Sequence, residues 1–188
     1  MNPNLPQPEK LVKPKGKHHN EKNLDNNEKT DKNTLVVYYS RSGNTKEMAE
    51  IIAKSMNEAG LPTECKSVDK VKAEDLLTFD ALVVGSPTYY GHMAGPVRQL
   101  FDDAVTYHGW LDGKVGAAFS SAANIVGGNE TTIMGIVEAM LISGMIVQGD
   151  SQGDHYGPVS IGKPDGRVRQ QCRRRGQRIA ELTKKLHA

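Results

Sequence analysis

Three short apolar runs, each ending in a polar loop, constrain this chain more than any other feature. Leu35-Val36-Val37-Tyr38-Tyr39 leads into Ser40-Arg41-Ser42-Gly43-Asn44-Thr45, and Ala81-Leu82-Val83-Val84-Gly85-Ser86 into Pro87-Thr88-Tyr89-Tyr90-Gly91-His92-Met93. Val115-Gly116-Ala117-Ala118-Phe119 precedes Ser120-Ser121-Ala122-Ala123-Asn124-Ile125-Val126-Gly127-Gly128. An apolar run without polar alternation reads as a strand covered on both faces, as in a parallel sheet flanked by helices. In such a sheet the carboxyl ends of the strands share one edge, so loops far apart in sequence converge there.

The segments between these runs carry helical spacing. A helix is predicted from about Thr45 to Ala59 with the stripe Met48, Ile51, Ile52 and Met56, and Gly60 as its stop. Asn44 and Glu47 form a variant capping box at its start. A weaker strand follows at Thr63–Val68, then a short polar helix near Ala73–Leu77. Further helices are expected over Pro96–Tyr107 and Glu130–Ser143, a last strand at Met145–Val147, then a glycine-rich loop and a C-terminal helix. The helix over 130–143 is apolar on most sides, which predicts cover beyond the sheet, such as a partner subunit. Five strands alternating with helices define an α/β, doubly wound, five-stranded parallel sheet.

Composition separates a tail from this pattern. Met1–Asn33 holds seven Lys, five acids, seven Asn and four Pro, and few large apolar residues, so a disordered extension over 1–33 and a folded domain over 34–188 are expected. The tail has no apolar core of a signal peptide. The chain carries a formal net charge of +2 over 188 residues, and the part beyond the tail has seventeen basic and seventeen acidic residues. Arg167, Arg169, Arg173, Arg174, Arg175 and Arg178 with Val168, Cys172, Ile179, Leu182 and Leu186 predict an amphipathic last helix with a basic, solvated outer face. Without interleaved aromatics that face does not call for nucleic acid. Cys65 and Cys172 supply neither a disulfide framework nor a metal or cluster ligand set, and reduced thiols fit a cytoplasmic setting. No apolar run approaches the roughly 20 residues of a membrane span.

The loops suggest their ligand. Ser40–Thr45 lies between a strand and a helix N-terminus, where unpaired N–H groups and the helix dipole attract an anion. Ser40, Ser42, Asn44 and Thr45 add short donors, Gly43 admits close approach and Arg41 adds charge. The same residue types also form ordinary turns and N-caps. No Gly-Lys-Ser/Thr and no Gly-x-Gly-x-x-Gly occurs here, so a terminal monophosphate fits better than a diphosphate. Pro87, Thr88, Tyr89, Tyr90 and Gly91 offer aromatic and backbone surface to a flat ring. Ser120, Ser121, Ala122, Asn124 and Gly127 offer small and polar groups to its other end. Together they suggest a flavin. His92, His155 and Trp110 can lie near the ring or serve structure alone.

The segments Val36–Thr45, Gly85–Met93, Phe119–Thr132, Gly144–Val147 and His155–Pro158 resemble the flavodoxin superfamily, in particular the WrbA-type NAD(P)H:quinone oxidoreductases and NADPH-dependent FMN reductases. The resemblance implies strand order 2-1-3-4-5 with FMN at the first and third strands, and a homodimer or tetramer. It also implies NAD(P)H as electron donor and a quinone-like small acceptor. The flavin would carry the chemistry, so no catalytic side chain is assigned. The quinone reductases typically have Arg where Tyr89 stands and His where Ser143 stands. A flavodoxin-like electron carrier between proteins is the alternative, although such carriers are usually strongly acidic.

Overall fold

The outermost strand position of the central sheet is filled by two separate pieces of chain, and the other four by one strand each. The structure, a computed structural model, describes residues 33–187. The disorder expected for 1–33 therefore falls, but for Asn33, outside the described residues. The strands are β1 (Thr34–Tyr38), β2 (Thr63–Ser67), β3 (Ala81–Tyr89), β4 (His92–Met93), β5 (Val115–Ala122), β6 (Ile146–Val147) and β7 (Val159–Ile161). The helices are α1 (Asn44–Glu58), α2 (Gly95–Ala104), α3 (Asn129–Ile142) and α4 (Gly166–Leu186), with 3-10 turns at Val68–Lys70, Ala73–Thr78 and Val105–Tyr107.

The strands lie in the order β2-β1-β3-β5-β6, all parallel, which is the expected 2-1-3-4-5 arrangement. Two details differ from the sequence reading. β7, expected as loop, extends the outer strand position by pairing Val159–Ile161 with Ser120–Ala122, while β6 pairs only with Val115 and Gly116. Residues 148–158 make an excursion between the two pieces. β3 also runs on to Tyr89 and turns back as β4, because Tyr90 and Gly91 take positive φ values of 51° and 81°, the conformation of a two-residue hairpin turn.

Alternate residues of each strand serve opposite layers. Leu35, Val37, Leu82, Val84 and Ala118 pack with Val97, Leu100, Phe101, Ile133, Ile136 and Met140 of α2 and α3. Val36, Val83, Ala117 and Phe119 pack with Met48, Ile52 and Met56 of α1 and Val168, Cys172 and Ile179 of α4. Both layers demand close approach in places. A β-carbon at Gly85 would overlap the Phe119 ring, and one at Gly176 would lie 2.7 Å from the Ile52 carbonyl oxygen where α4 crosses α1.

Of the six α4 arginines expected on a solvated face, only Arg167 and Arg173 are exposed. Arg174 clamps the buried Asp150 through Nε at 2.6 Å and Nη2 at 2.9 Å. Arg175 is itself buried and donates to the Gln148 carbonyl, Arg178 donates to that of Gly149, and Arg167 binds Asp154. Arg169 pairs with Glu47 of α1, while Arg173 stays exposed. Most of this charge thus holds the 148–158 excursion against the helix, a role that helical spacing alone does not reveal. α3 buries Thr132, Ile133, Ile136, Val137 and Met140 under the sheet and leaves Leu141 and Ile142 exposed.

Candidate functional site

The carboxyl ends of β1, β3 and β5 open onto a cleft of about 600 Å³. Its lining brings together Arg41, Ser42, Asn44 and Thr45 from the first loop, Pro87, Thr88 and Tyr89 from the end of β3, and Ser121, Ala122 and Ala123 after Phe119. Gly162, just past β7, completes the wall. The sequence does not single out Gly162, because the three residues of β7 carry no strand periodicity; its one signal is the glycine-rich composition after Val147. The volume falls within the roughly 300–1,000 Å³ of small-molecule and cofactor sites.

The floor is a set of hydroxyl contacts that tie the loops together. Thr45 Oγ1 and Ser121 Oγ share a buried hydrogen bond of 2.8 Å, linking the first loop to the third. Thr88 Oγ1 and Ser120 Oγ are 3.0 Å apart, and Thr132 Oγ1 donates to Thr88 Oγ1 at 3.0 Å. Ser86 Oγ accepts from the Ala94 N–H at 2.8 Å, fixing the return from β4 into α2. Tyr89 meets Tyr39 edge to face, with ring centroids 6.3 Å apart.

Within the first loop Gly43 occupies the N-cap of α1 at φ 91°, and Asn44 and Thr45 open the helix. The expected capping box does not form, because Gly43 rather than Asn44 takes the cap position and no side chain among the described residues caps the helix. Ser40 Oγ accepts from Gly43 N–H at 3.1 Å instead, and Glu47 turns to Arg169. The first-turn N–H groups of α1 thus keep their positive potential toward the cleft, with the only acid of that turn neutralised. Arg41 is the one charged side chain in the lining, and no ion pair engages it among the described residues.

Seven of the predicted residues stand behind or beside the lining. Ser40 and Gly43 shape the first loop, and Ser120 lies in the floor. Gly91 forms the hairpin tip, and Tyr90 there is fully exposed. Asn124 and Gly127 belong to an exposed turn in which a β-carbon at Gly127 would lie 2.9 Å from the Asn124 carbonyl oxygen. His92, His155 and Trp110 do not line the cleft; His155 Nδ1 is 2.7 Å from the Asp150 carbonyl oxygen. Ser143 caps the end of α3, hydrogen-bonds the Ala139 carbonyl at 2.8 Å and lines a separate groove between α2 and α3.

Burial pushes the Cys65 thiol up to about 11 and that of Cys172 up to about 12, so both stay protonated at neutral pH. Among the described residues no group of three or more His, Cys, Asp or Glu is placed to hold a metal ion. Among them, too, no helix is long and apolar enough to cross a membrane.

Residues 35–122 match the flavodoxin domain. The chain is 40% identical over 156 residues to a flavodoxin of Aquifex aeolicus, a match covering 78% of this chain and 84% of that protein. The chain belongs to the flavodoxin family. It is also 33% identical over 194 residues to an NAD(P)H dehydrogenase (quinone) of Caulobacter vibrioides, covering 81% of this chain and 98% of that one. Among solved structures, a flavodoxin from the domain Archaea aligns with a TM-score of 0.68 at 34% identity, covering 81% of this chain and 99% of that one. A WrbA-like protein from Agrobacterium tumefaciens shares the fold, with a TM-score of 0.70 at 24% identity over 82% of this chain and 98% of that one. The cleft lining from Arg41 to Ala122 falls inside the matched domain, whereas Ala123 and Gly162 lie beyond it.

Proposed function

We propose that this flavodoxin-family protein binds FMN in the cleft and passes electrons from NAD(P)H to a quinone or another small acceptor. The observation that carries the reading is the convergence of three loops on one cleft beside an uncapped helix N-terminus. The lining suits FMN. Ser42, Asn44 and Thr45 with the α1 N–H groups and Arg41 would hold a phosphate, which is the one dianionic part of that molecule. Pro87, Thr88, Tyr89, Ala122, Ala123 and Gly162 would hold the ring and its chain, with small residues giving room and Tyr89 an aromatic surface. Bound FMN supplies hydride acceptance and electron transfer; the protein binds it, orients it and shields it from water.

The donor and acceptor rest on the relatives named NAD(P)H dehydrogenase (quinone), which this chain matches over 98% of their length. The test is to load the purified protein with FMN and add excess NADH or NADPH without oxygen. Bleaching of the flavin absorbance, followed by recovery on adding a quinone, is expected. A flavin that stays oxidised under both nucleotides refutes the reductase reading.

The 40% identity to the Aquifex aeolicus flavodoxin favours a second reading, an electron carrier between proteins. A stepwise redox titration separates the two: widely spaced one-electron potentials favour a carrier, and a single two-electron step favours the reductase. Our reading further includes a homodimer or tetramer, supported by the exposed Leu141 and Ile142 on α3, and a cytoplasmic setting, supported by free Cys65 and Cys172. Neither a nucleic-acid partner nor a metal forms part of it.

A further inference from the structure

The tip of the β3–β4 hairpin is fastened to the first turn of α3 by a contact outside the cleft. Thr131 Oγ1 donates toward the Gly91 carbonyl oxygen at 2.6 Å and lies 3.0 Å from that of Gly128. Gly91 and Gly128 meet backbone to backbone: a β-carbon at Gly128 would be 2.6 Å from the Gly91 Cα. Both glycines have positive φ, 81° and 96°, so the contact needs two glycines and a short hydroxyl.

The tip is otherwise poorly secured. Tyr90 sits at φ 51°, where a residue with a β-carbon is strained, and its side chain is fully exposed among the described residues. Hairpin turns of this kind favour Asn-Gly, so local preference alone does not hold Tyr90-Gly91 in place. The base of the same hairpin is held by the next residue of α3, since Thr132 donates to Thr88. Tyr89 lies between these two anchors and lines the cleft.

We propose that Thr131 is a positioning residue whose hydroxyl latches the hairpin tip and so fixes the Tyr89 wall of the cleft for ring binding. The inference rests on the FMN reading given above. Thr131 is exposed, so Thr131→Val leaves the core untouched, while the methyl in place of Oγ1 can neither donate to the Gly91 carbonyl nor sit 2.6 Å from it, and the tip is released. The latch acts on the ring side, whereas the phosphate is held by the first loop, and this separation makes the inference testable.

In Thr131→Val, titrated by quenching of flavin fluorescence, FMN and riboflavin are both expected to bind about five- to tenfold more weakly, in line with one lost hydrogen bond. The ratio of their dissociation constants stays at the wild-type value. Thr131→Ser restores both. In flavin-free protein, amide exchange over residues 88–93 speeds up in Thr131→Val and returns to wild type in Thr131→Ser. Wild-type affinity and wild-type exchange in Thr131→Val overturn the latch. A changed FMN-to-riboflavin ratio also overturns it, because that places the effect at the phosphate. If wild-type protein binds no FMN at all, the cofactor reading fails, while the exchange measurement still decides whether Thr131 holds the hairpin.

Discussion

Replacing Gly85 with alanine tests whether the sheet that carries the cleft is built around one close approach. Gly85 lies in β3 beside Phe119 of β5, and an added methyl would be 2.7 Å from Phe119 Cε1 and closer still to Cζ and Cε2. Phe119 is 0% exposed and packs among α1 and α4, so its ring has no free volume to enter. Overpacking of a tight core costs about 1–3 kcal/mol, and three overlapped ring atoms place Gly85→Ala near the upper end, at about 3 kcal/mol. For a domain of this size that lowers Tm by roughly 6–12 °C. Phe119→Leu alone, which leaves a partly filled space, is expected to cost about 1–2 kcal/mol. The double variant makes room for the new methyl. Its loss is expected at about 2 kcal/mol rather than the sum, a coupling of about 2–3 kcal/mol. Urea denaturation of the four proteins at one pH measures the cycle. Additive losses within about 0.5 kcal/mol would show that the methyl does not meet the ring, and the packing account of this glycine would fail.

Two further outcomes are expected. Asp150→Asn removes the charge that Arg174 clamps and loosens the 148–158 excursion, costing about 2 kcal/mol in urea denaturation at neutral pH. The Arg174 guanidinium holds the Asp150 carboxyl well below the usual carboxylate range. Its stabilisation is therefore complete above the ordinary value of about 4 and is lost as pH falls through the depressed one. The gap between wild type and Asp150→Asn should stay level from about pH 5 upward and shrink in stronger acid; a gap that instead closes toward alkaline pH would contradict the assignment. Arg41→Gln should weaken FMN about fivefold in low salt and riboflavin hardly at all, since the side chain is exposed and screened. Equal weakening of both flavins would remove Arg41 from the phosphate site.

What could be read in advance followed the physics of burial. The runs from Leu35, Ala81 and Val115 were legible as central strands because both of their faces are covered, and an unbroken apolar run is the signature of that condition. The loops after them were legible because strand ends of a parallel sheet share an edge. The hairpin at Tyr90-Gly91 was not, since it depends on a positive φ at a tyrosine, against local preference. β7 escaped notice because three residues, Val159–Ile161, carry no periodicity; they are a strand only through pairing with Ser120–Ala122. The arginines of α4 misled for a related reason: helical spacing separates faces but does not say that Asp150 and the Gln148 carbonyl lie across from them. Thr131 sat inside a recognised motif without a role, because its partner Gly91 is forty residues away.

The interrupted outer strand has a consequence for how copies of this protein behave in a crowded solution. An edge strand with a long row of free N–H and C=O groups invites a strand from another molecule, the first step toward aggregation. Here that edge offers two residues, then the excursion, then three residues, so no neighbour finds an unbroken ladder to extend. The opposite edge, β2, is continuous over Thr63–Ser67 but presents Glu64 and Lys66, charges that a stacked strand would have to strip of water. One border is guarded by discontinuity and the other by charge, which leaves the loop end of the sheet as the side open to visitors.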